Sequence, residues 1–176
     1  GLKTHKKVIV MTPASLQRNY VEELKKCGDD IYKKNQYWEF VDTKKDPQHL
    51  APLAIIMSLT EEFVKSQGGV WMVNVNNDSN FDRLTIDEQE QIEKQIDAMI
   101  QAKYRNINYN ANNFMAKLEH YGSGESNPFD NSVVIVDEGH NLVSRIVNKL
   151  NRPQSNSVKL YKYLMGAVNA KVVFLS

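Results

Sequence analysis

The sequence predicts an α/β fold built around a mostly parallel β-sheet. Three short runs are apolar at every position and are predicted to be strands: Val8–Met11, Val133–Val136 and Val172–Leu175. A run that is apolar on both faces, such as Val8–Met11, is typical of a buried strand in a parallel sheet. Segments with helical spacing of apolar residues separate these runs. Alternation of strands with helices favours parallel pairing through right-handed crossovers, so we expect the carboxyl ends of the strands to share one edge.

The first predicted strand leads into a helix. Thr12-Pro13 closes the run Val8–Met11, and a proline suits the first turn of a helix. The apolar stripe of this helix comprises Leu16, Tyr20, Leu24 and Cys27, and Gly28 ends it. From its place on that stripe we predict that Cys27 packs against the core.

The stretch of about 42–104 is longer than a simple crossover needs. We predict that it elaborates the same domain and carries a small hairpin of its own. The predicted elements in and beside it are a strand at Tyr37–Val41, one helix at Leu50–Lys65, a strand at Val70–Val73 and a helix running to about Tyr104. Thr85 and Glu88 have the spacing of a capping box, which places the start of that last helix.

The second half of the chain repeats the alternation. Strands are predicted at Arg105–Tyr109, Ser132–Val136 and Lys171–Leu175, and helices at Asn112–Tyr121, Leu142–Leu150 and Val158–Val168. Tyr104, Tyr109 and Phe114 lie near Arg105, a pattern that permits stacking on nucleic-acid bases. We favour core packing for these aromatic residues, and a core or partly buried position for Trp38 and Trp71.

Composition excludes several classes of protein. Of the 176 residues, 41% are hydrophobic and 24% charged, which is the balance of a globular domain rather than a disordered tail. No apolar run approaches the roughly 18 residues of a membrane helix. A single cysteine permits no internal disulfide, which favours a reducing, intracellular setting. The net charge of +1 is low for a free-standing nucleic-acid binder, and we interpret the lysine clusters, including Lys25-Lys26 and Lys33-Lys34, as solvated faces.

The strongest chemical signal is an acidic pair after the strand Val133–Val136. Ligands of an open parallel sheet bind at the carboxyl ends of its strands, where Asp137 and Glu138 are expected. Two neighbouring carboxylates repel each other, so a cation is expected nearby, and Mg²⁺ prefers carboxylate, water and phosphate oxygens. Asp137 would hold the magnesium through its water shell, and Glu138 would orient and deprotonate a water molecule. The alternative is a strand ending in a solvated polar turn.

These segments resemble the first RecA-like domain of a superfamily 2 helicase of the Asp-Glu-x-His type. Val8–Leu16 resembles motif Ia, Val134–His140 resembles motif II, and Val172–Ser176 resembles the strand that leads into motif III. Thr12–Tyr20, Asn106–Ala111 and Asn127–Asn131 further resemble helicases of large nucleocytoplasmic DNA viruses. The resemblance spans nearly all of residues 1–176, and it is least specific in the middle.

The resemblance implies a set of functional residues. The catalytic and magnesium-binding candidates are Asp137, Glu138 and His140; the nucleic-acid candidates are Thr12, Pro13, Ser15, Arg18 and Asn108; and the residues implied to couple hydrolysis to movement are His140 and Ser176. It also implies ATP and Mg²⁺ as cofactors, DNA or RNA as partner, and a second RecA-like domain in the same longer protein.

One feature of that family is missing from these residues. They contain no Gly-x-x-x-x-Gly-Lys-Ser/Thr loop to cradle phosphates. We therefore expect this chain to be an excerpt, running from motif Ia to the start of motif III, that hydrolyses ATP negligibly alone. Two alternatives stay open: a remodeller-like or viral transcription-factor ATPase that translocates without separating strands, and a non-catalytic lobe that binds nucleic acid or serves as a scaffold.

Overall fold

A computed structural model describes residues 6–122 and 127–176, apart from the side chain of Arg18. Its strands are β1 (Lys7–Thr12), β2 (Trp38–Asp42), β3 (Gly69–Val73), β4 (Tyr104–Asn108), β5 (Ser132–Val136) and β6 (Lys171–Phe174). Its α-helices are α1 (Gln17–Cys27), α2 (Leu50–Met57), α3 (Glu61–Gln67), α4 (Ile86–Lys103), α5 (Phe114–Tyr121), α6 (Gly139–Val147) and α7 (Asn156–Gly166).

The chain divides into two compact units. Residues 20–103 form one, which we call the intervening unit, and the described residues of 6–19 and 104–176 form the other, which we call the sheet unit. The intervening unit begins earlier than the stretch of about 42–104 for which the sequence predicts an elaboration.

The sheet unit contains four strands in the order β4-β1-β5-β6, and every pair is parallel. This confirms the prediction of an α/β fold with a parallel sheet. The two central strands are the two strongest apolar runs. Ile9, Met11, Val134 and Val136 lie on one face of the sheet and are all at most 1% exposed. On the opposite face Val10 is also fully buried, whereas its neighbour Ile135 is partly exposed.

Helices of the sheet unit complete its core. Leu118 of α5, Leu142 of α6 and Leu160 of α7 are buried in the same apolar cluster as the central strands. Tyr109 and Phe114 belong to this cluster too, which confirms the interpretation of these two aromatic residues as core. Burial of large apolar side chains, at about 1.5–3 kcal/mol each, holds the helices against the sheet.

The intervening unit has a sheet of its own, in which β2 and β3 pair antiparallel with Trp38 opposite Val73. Amide side chains bind the backbone of both strands. Asn80 accepts a hydrogen bond from the Trp38 amide at 2.8 Å and donates one to its carbonyl at 3.0 Å. Gln95 of α4 does the same for Trp71, at 2.8 Å in each direction. These side chains stand in for neighbouring strands, which a two-stranded sheet needs for stability.

The predicted hairpin is therefore an antiparallel pair whose strands are separated by two helices rather than joined by a turn. The prediction of one helix over Leu50–Lys65 was wrong. Ser58 adopts a left-handed conformation with φ of 54°, which ends α2. Thr60 then caps α3, because its hydroxyl accepts a hydrogen bond from the Phe63 amide at 3.1 Å.

Cys27, the capping box and the two tryptophans were also predicted from the sequence. Cys27 is exposed, so the prediction that it packs against the core was wrong; it lies at the last residue of α1, where the apolar stripe runs out. The capping box is confirmed: the Glu88 carboxylate accepts from the Thr85 amide at 2.8 Å. Trp38 and Trp71 are buried, as expected. Among the described helices, none combines the length and apolar character required to cross a membrane.

Candidate functional site

The carboxyl ends of the four parallel strands meet at one edge of the sheet unit. Thr12 at the end of β1 lies opposite Asn108 at the end of β4. On the other side of β1, Met11 lies opposite Val136, the last residue of β5. The acidic pair that follows Val136 therefore emerges at the same edge as Thr12 and Asn108, as the sequence predicts for a ligand site in a parallel sheet.

Backbone hydrogen bonds fix the position of Asp137. Its amide donates to the carbonyl of Met11 at 2.9 Å, which extends the β1–β5 ladder by one residue. Its carboxylate accepts from the amide of Glu138 at 3.0 Å through Oδ1. The side chain is partly exposed, so the carboxylate is anchored through one oxygen and accessible at the edge.

Glu138 turns the chain from β5 into α6. It adopts a left-handed conformation with φ of 51° and ψ of 44°, and α6 begins at the next residue. The sequence placed the start of this helix at Leu142, and that was wrong because the left-handed residue reverses the chain within one position. The Glu138 carboxylate lies 3.5 Å from Nε2 of His140, and the two side chains are 40% and 59% exposed.

Gly139 is required by a close approach to β6. A Cβ atom there would lie 2.8 Å from Cδ1 of Phe174 and 3.3 Å from the carbonyl oxygen of Leu175. The Gly139 amide donates to that same carbonyl at 2.7 Å, and the Leu175 amide donates to Val136 at 2.8 Å. The acidic turn is thus attached directly to the end of the neighbouring strand, next to Ser176, which is exposed.

A network from β4 holds the other side of the acidic turn. The buried Tyr109 hydroxyl donates to the carbonyls of Asp137 and Glu138 at 3.2 and 3.3 Å. Burial raises the pKa of Tyr109, and the charges of Glu138 and Asp137 raise it further, so the hydroxyl stays protonated and able to donate. Arg145 of α6 donates to the carbonyl of Tyr109 and, at 3.3 Å, to Asn110.

Sequence reasoning missed Arg145. It lies 36 residues from Tyr109 along the chain, and no local pattern connects the two. The only available signal is a basic residue on α6 one turn beyond Asn141, on a helix that starts at the acidic turn. Its guanidinium also lies over the Phe114 ring, 5.6 Å from the centroid, so it fixes the loop between β4 and α5.

The residues predicted to bind nucleic acid differ in their exposure and in their hydrogen bonds. Thr12 is fully buried, and its hydroxyl has no hydrogen-bond partner among the described residues, so a nucleic acid cannot reach that hydroxyl in this structure. Ser15 is exposed in a short 3₁₀ turn that Pro13 opens, with no side-chain cap. Asn108 accepts from the Asn110 amide at 2.9 Å. The side chain of Arg18 lies outside the described residues.

The segment Asn127–Asn131, which carries part of the viral resemblance, is a structural turn. Asn127 donates to the carbonyl of Tyr163 at 2.7 Å and accepts from the Phe129 amide at 3.0 Å. Asp130 accepts from the Val168 amide at 2.7 Å. These polar side chains are buried and satisfied, so they anchor the start of β5 to the end of α7.

The site can contribute only part of a magnesium shell. Within the described ranges, no group of three or more His, Cys, Asp or Glu side chains is arranged to hold a metal. Asp137 and Glu138 are hard oxygen donors, and Mg²⁺ typically takes one or two carboxylates together with water and phosphate oxygens. The acidic pair therefore fits a magnesium ion that arrives with a phosphorylated ligand.

No family model, curated protein or solved structure matches this chain.

Proposed function

We propose that this chain is the RecA-like lobe of a nucleic-acid-dependent ATPase of the helicase or translocase type. The observation that carries the proposal is the acidic turn Asp137–Glu138 at the carboxyl edge of a parallel sheet, placed between two other segments of the same resemblance. Those segments are the Thr12-Pro13 turn after β1 and the end of β6, and their strands pair with β5 on either side.

The geometry assigns separate roles to the two acids. Asp137 is held by Met11 and by the Glu138 amide, which suits a carboxylate that would bind a hydrated Mg²⁺. The metal, when bound, would neutralise charge on the phosphate oxygens of ATP. The Glu138 carboxylate is 40% exposed and would accept the proton of the attacking water, while His140 at 3.5 Å restricts its orientation.

The network behind the acidic turn supports this proposal. Tyr109 and Arg145 join the turn to the end of β4, at Asn108, and to the loop that follows, where Asn110 lies. A ligand at Asp137 and a nucleic acid at this loop would therefore act on one connected set of hydrogen bonds. Connection of this kind is what a motor needs to link hydrolysis to movement, since coupling requires contacts that both ligands bias.

Paramagnetic NMR with Mn²⁺ and ATP tests the proposal on this chain. We expect broadening of the amide signals of residues 137–140, and its loss in Asp137→Asn. Asp78→Asn, in an exposed loop of the intervening unit, removes the same charge and should leave the broadening intact. Broadening that is absent, or that survives Asp137→Asn, would overturn the proposal.

Hydrolysis is tested in a longer protein that contains this chain and a phosphate-binding loop. Glu138→Gln should reduce nucleic-acid-stimulated ATP turnover by about 10²–10⁴-fold, the usual contribution of a positioned general base. ATP affinity should change little, because the amide keeps the size and shape of the side chain. Turnover that persists in Glu138→Gln would exclude Glu138 as the base and assign that role to another residue.

A further inference from the structure

The sheet unit has an apolar groove beside its edge strand β6. The groove measures about 350 Å³ and lies between α6, α7 and β6, and all of its lining residues are apolar or aromatic. They include Val147 of α6, Met165 of α7, and Val172 and Phe174 of β6. Val147 is 56% exposed and Met165 is 70% exposed, so the groove is open to solvent.

Exposed apolar side chains are concentrated around this groove. Among the residues that the structure describes, sixteen large hydrophobic side chains are exposed, and ten of them lie between positions 143 and 175. Seven of these ten line the groove. Single exposed hydrophobic residues are normal on a protein surface, whereas a contiguous apolar patch marks a surface that another group covers.

The backbone of β6 is open along the same side. β6 pairs with β5 on one side, and no described strand pairs with it on the other. The Leu175 amide donates to Val136 and the Leu175 carbonyl accepts from Gly139, so both groups point toward β5. Successive residues of a strand direct these groups to opposite sides, so those of Val172 and Phe174 point to the open edge. Edge strands are normally blocked by proline, a bulge or charges, and β6 is Lys-Val-Val-Phe with one charge at its start.

The charges beside the groove are all positive. Residues 139–176 contain six Lys and Arg residues and no Asp or Glu, although the whole chain carries 21 acidic residues. Arg145 is bound to a backbone carbonyl, and Lys159 is paired with Glu119. The other four have no carboxylate partner among the described residues, and each lies within two positions of a groove-lining residue: Lys149, Arg152, Lys162 and Lys171. Unpaired cations of one sign favour an acidic partner.

We propose that β6 and this groove bind an extended, acidic segment of a partner protein by β-strand addition. The added strand pairs with the open backbone groups of Val172 and Phe174, and its alternate side chains enter the groove. Main-chain hydrogen bonds supply affinity in this mode, and the groove selects apolar residues at every second position. Acidic residues at the ends of the segment lie near the four unpaired cations, which makes the two surfaces complementary in charge.

Other occupants account for fewer of these observations. A helix or a lipid surface would cover the apolar side chains, but neither offers free backbone groups to pair with the edge of β6. A second copy that pairs through β6 would bring two sets of unpaired cations together, and like charges across an interface are unfavourable. An added acidic strand is the occupant that matches the groove, the open edge and the charge together.

Fluorescence anisotropy of a labelled peptide titrated with the whole chain tests the proposal. The probe is Glu-Glu-Val-Thr-Val-Thr-Val-Thr-Val-Glu-Glu, in which apolar residues alternate between acidic ends. A peptide of the same composition with its four valines contiguous should bind at least about tenfold more weakly, because half of them would face away from the groove. Lysine in place of every glutamate should also weaken binding at least about tenfold, through like-charge repulsion. Equal binding of the three peptides, or no saturable binding of the first, would overturn the proposal.

Variants of the chain locate the binding site. Val172→Pro removes an amide at the open edge, a position that tolerates proline, and should weaken binding of the first peptide at least about tenfold. Met165→Asp places a charge in the groove and should have a similar effect, at least about tenfold. Its matched control is Ile56→Asp, since Ile56 is 68% exposed and also lies one residue before the end of its helix. The control should change affinity by less than about twofold, because only screened long-range charge differs. Equal weakening by the two aspartates would contradict a site at the groove.

Amide hydrogen exchange separates strand addition from the other occupants. The acidic peptide should slow exchange of the Val172 and Phe174 amides at least about tenfold, because they become hydrogen-bonded. Binding that leaves both amides unprotected would show that the peptide only covers the groove, and the proposal would fail. Self-association of the chain that Val172→Pro abolishes would assign the edge to a second copy. Binding to vesicles of phosphatidylcholine and phosphatidylserine that Met165→Asp abolishes would assign the groove to lipid. Either result would also overturn the proposal.

Discussion

Replacing Gly139 with alanine should loosen the attachment of the acidic turn to β6. The added Cβ would lie 2.8 Å from Cδ1 of Phe174, and 3.2 Å from its Cβ, which the phenylalanine cannot move by side-chain rotation. Either β6 or the start of α6 must shift. The hydrogen bond between the Gly139 amide and Leu175, 2.7 Å long, lies directly at this contact.

The expected change in the free energy of unfolding is the balance of two opposing effects. Overpacking costs about 1–3 kcal/mol, and we take about 2 kcal/mol for a contact shared by a side chain and a strand end. Alanine in place of glycine restores about 0.5 kcal/mol through the unfolded chain. Gly139→Ala should therefore lower the free energy of unfolding of the sheet unit by about 1.5 kcal/mol, the balance of these two effects.

Gly166→Ala is the matched control. Gly166 ends α7, and the nearest atom to an added Cβ is 3.8 Å away, which is ordinary contact. Alanine there should stabilise by about 0.5 kcal/mol, so the two variants should differ by about 2 kcal/mol.

Urea unfolding monitored by circular dichroism measures this difference in the free energy of unfolding, and amide hydrogen exchange shows which residues are affected. Tryptophan fluorescence would miss the effect, because both tryptophans lie in the intervening unit. Exchange of the Leu175 amide should be about tenfold faster in Gly139→Ala, in line with the loss of stability. Equal stabilisation by both alanines would refute the close approach of Gly139 to β6.

Two further predictions concern other parts of the chain. Gln95→Leu leaves the buried amide and carbonyl of Trp71 without hydrogen-bond partners, so the free energy of unfolding should fall by about 3 kcal/mol. Urea unfolding monitored by tryptophan fluorescence measures this loss, and Gln101→Leu, at an exposed position of the same helix, should show almost none. Equal stabilities of the two variants would contradict the bridging role of Gln95. A hydrogen bond from Lys159 holds the pKa of Glu119 below its ordinary value in the folded chain. The Lys159–Glu119 pair therefore stabilises the fold at a pH above the pKa of Glu119 in the unfolded chain, and this stabilisation is lost as the pH falls through the pKa of Glu119 in the folded chain. NMR titration should show the pKa of Glu119 rise in Lys159→Gln, and an unchanged pKa would exclude the pairing.

The parallel sheet could be predicted because its strands are specified locally. A run such as Val133–Val136 is β-branched and apolar on both faces, which leaves a buried strand as the consistent interpretation. The acidic site could be predicted for the same reason, since its position follows from where β5 ends. Its neighbours Thr12 and Asn108 follow once the strands are parallel.

Other features depend on conformations or distances that composition does not reveal. The stretch Leu50–Lys65 contains no glycine, and its one proline lies in the first turn of α2, so the break depends on one left-handed residue, Ser58, followed by a cap at Thr60. The link from Arg145 to Tyr109 joins residues far apart in the chain. Partners chosen by tertiary packing leave no periodic signal in a single sequence.

The left-handed backbone of Glu138 indicates that its side chain is kept for a reason other than stability. Among the residues that the structure describes, four other than glycine have positive φ, and two of them, Asn131 and Asn169, are of the type that tolerates this conformation. A glutamate there costs about 1–2 kcal/mol relative to glycine. A sequence optimised only for folding would place glycine at this position. Glu138→Gly should thus give a more stable chain without the proposed base, which sets stability and chemistry in opposition at a single residue.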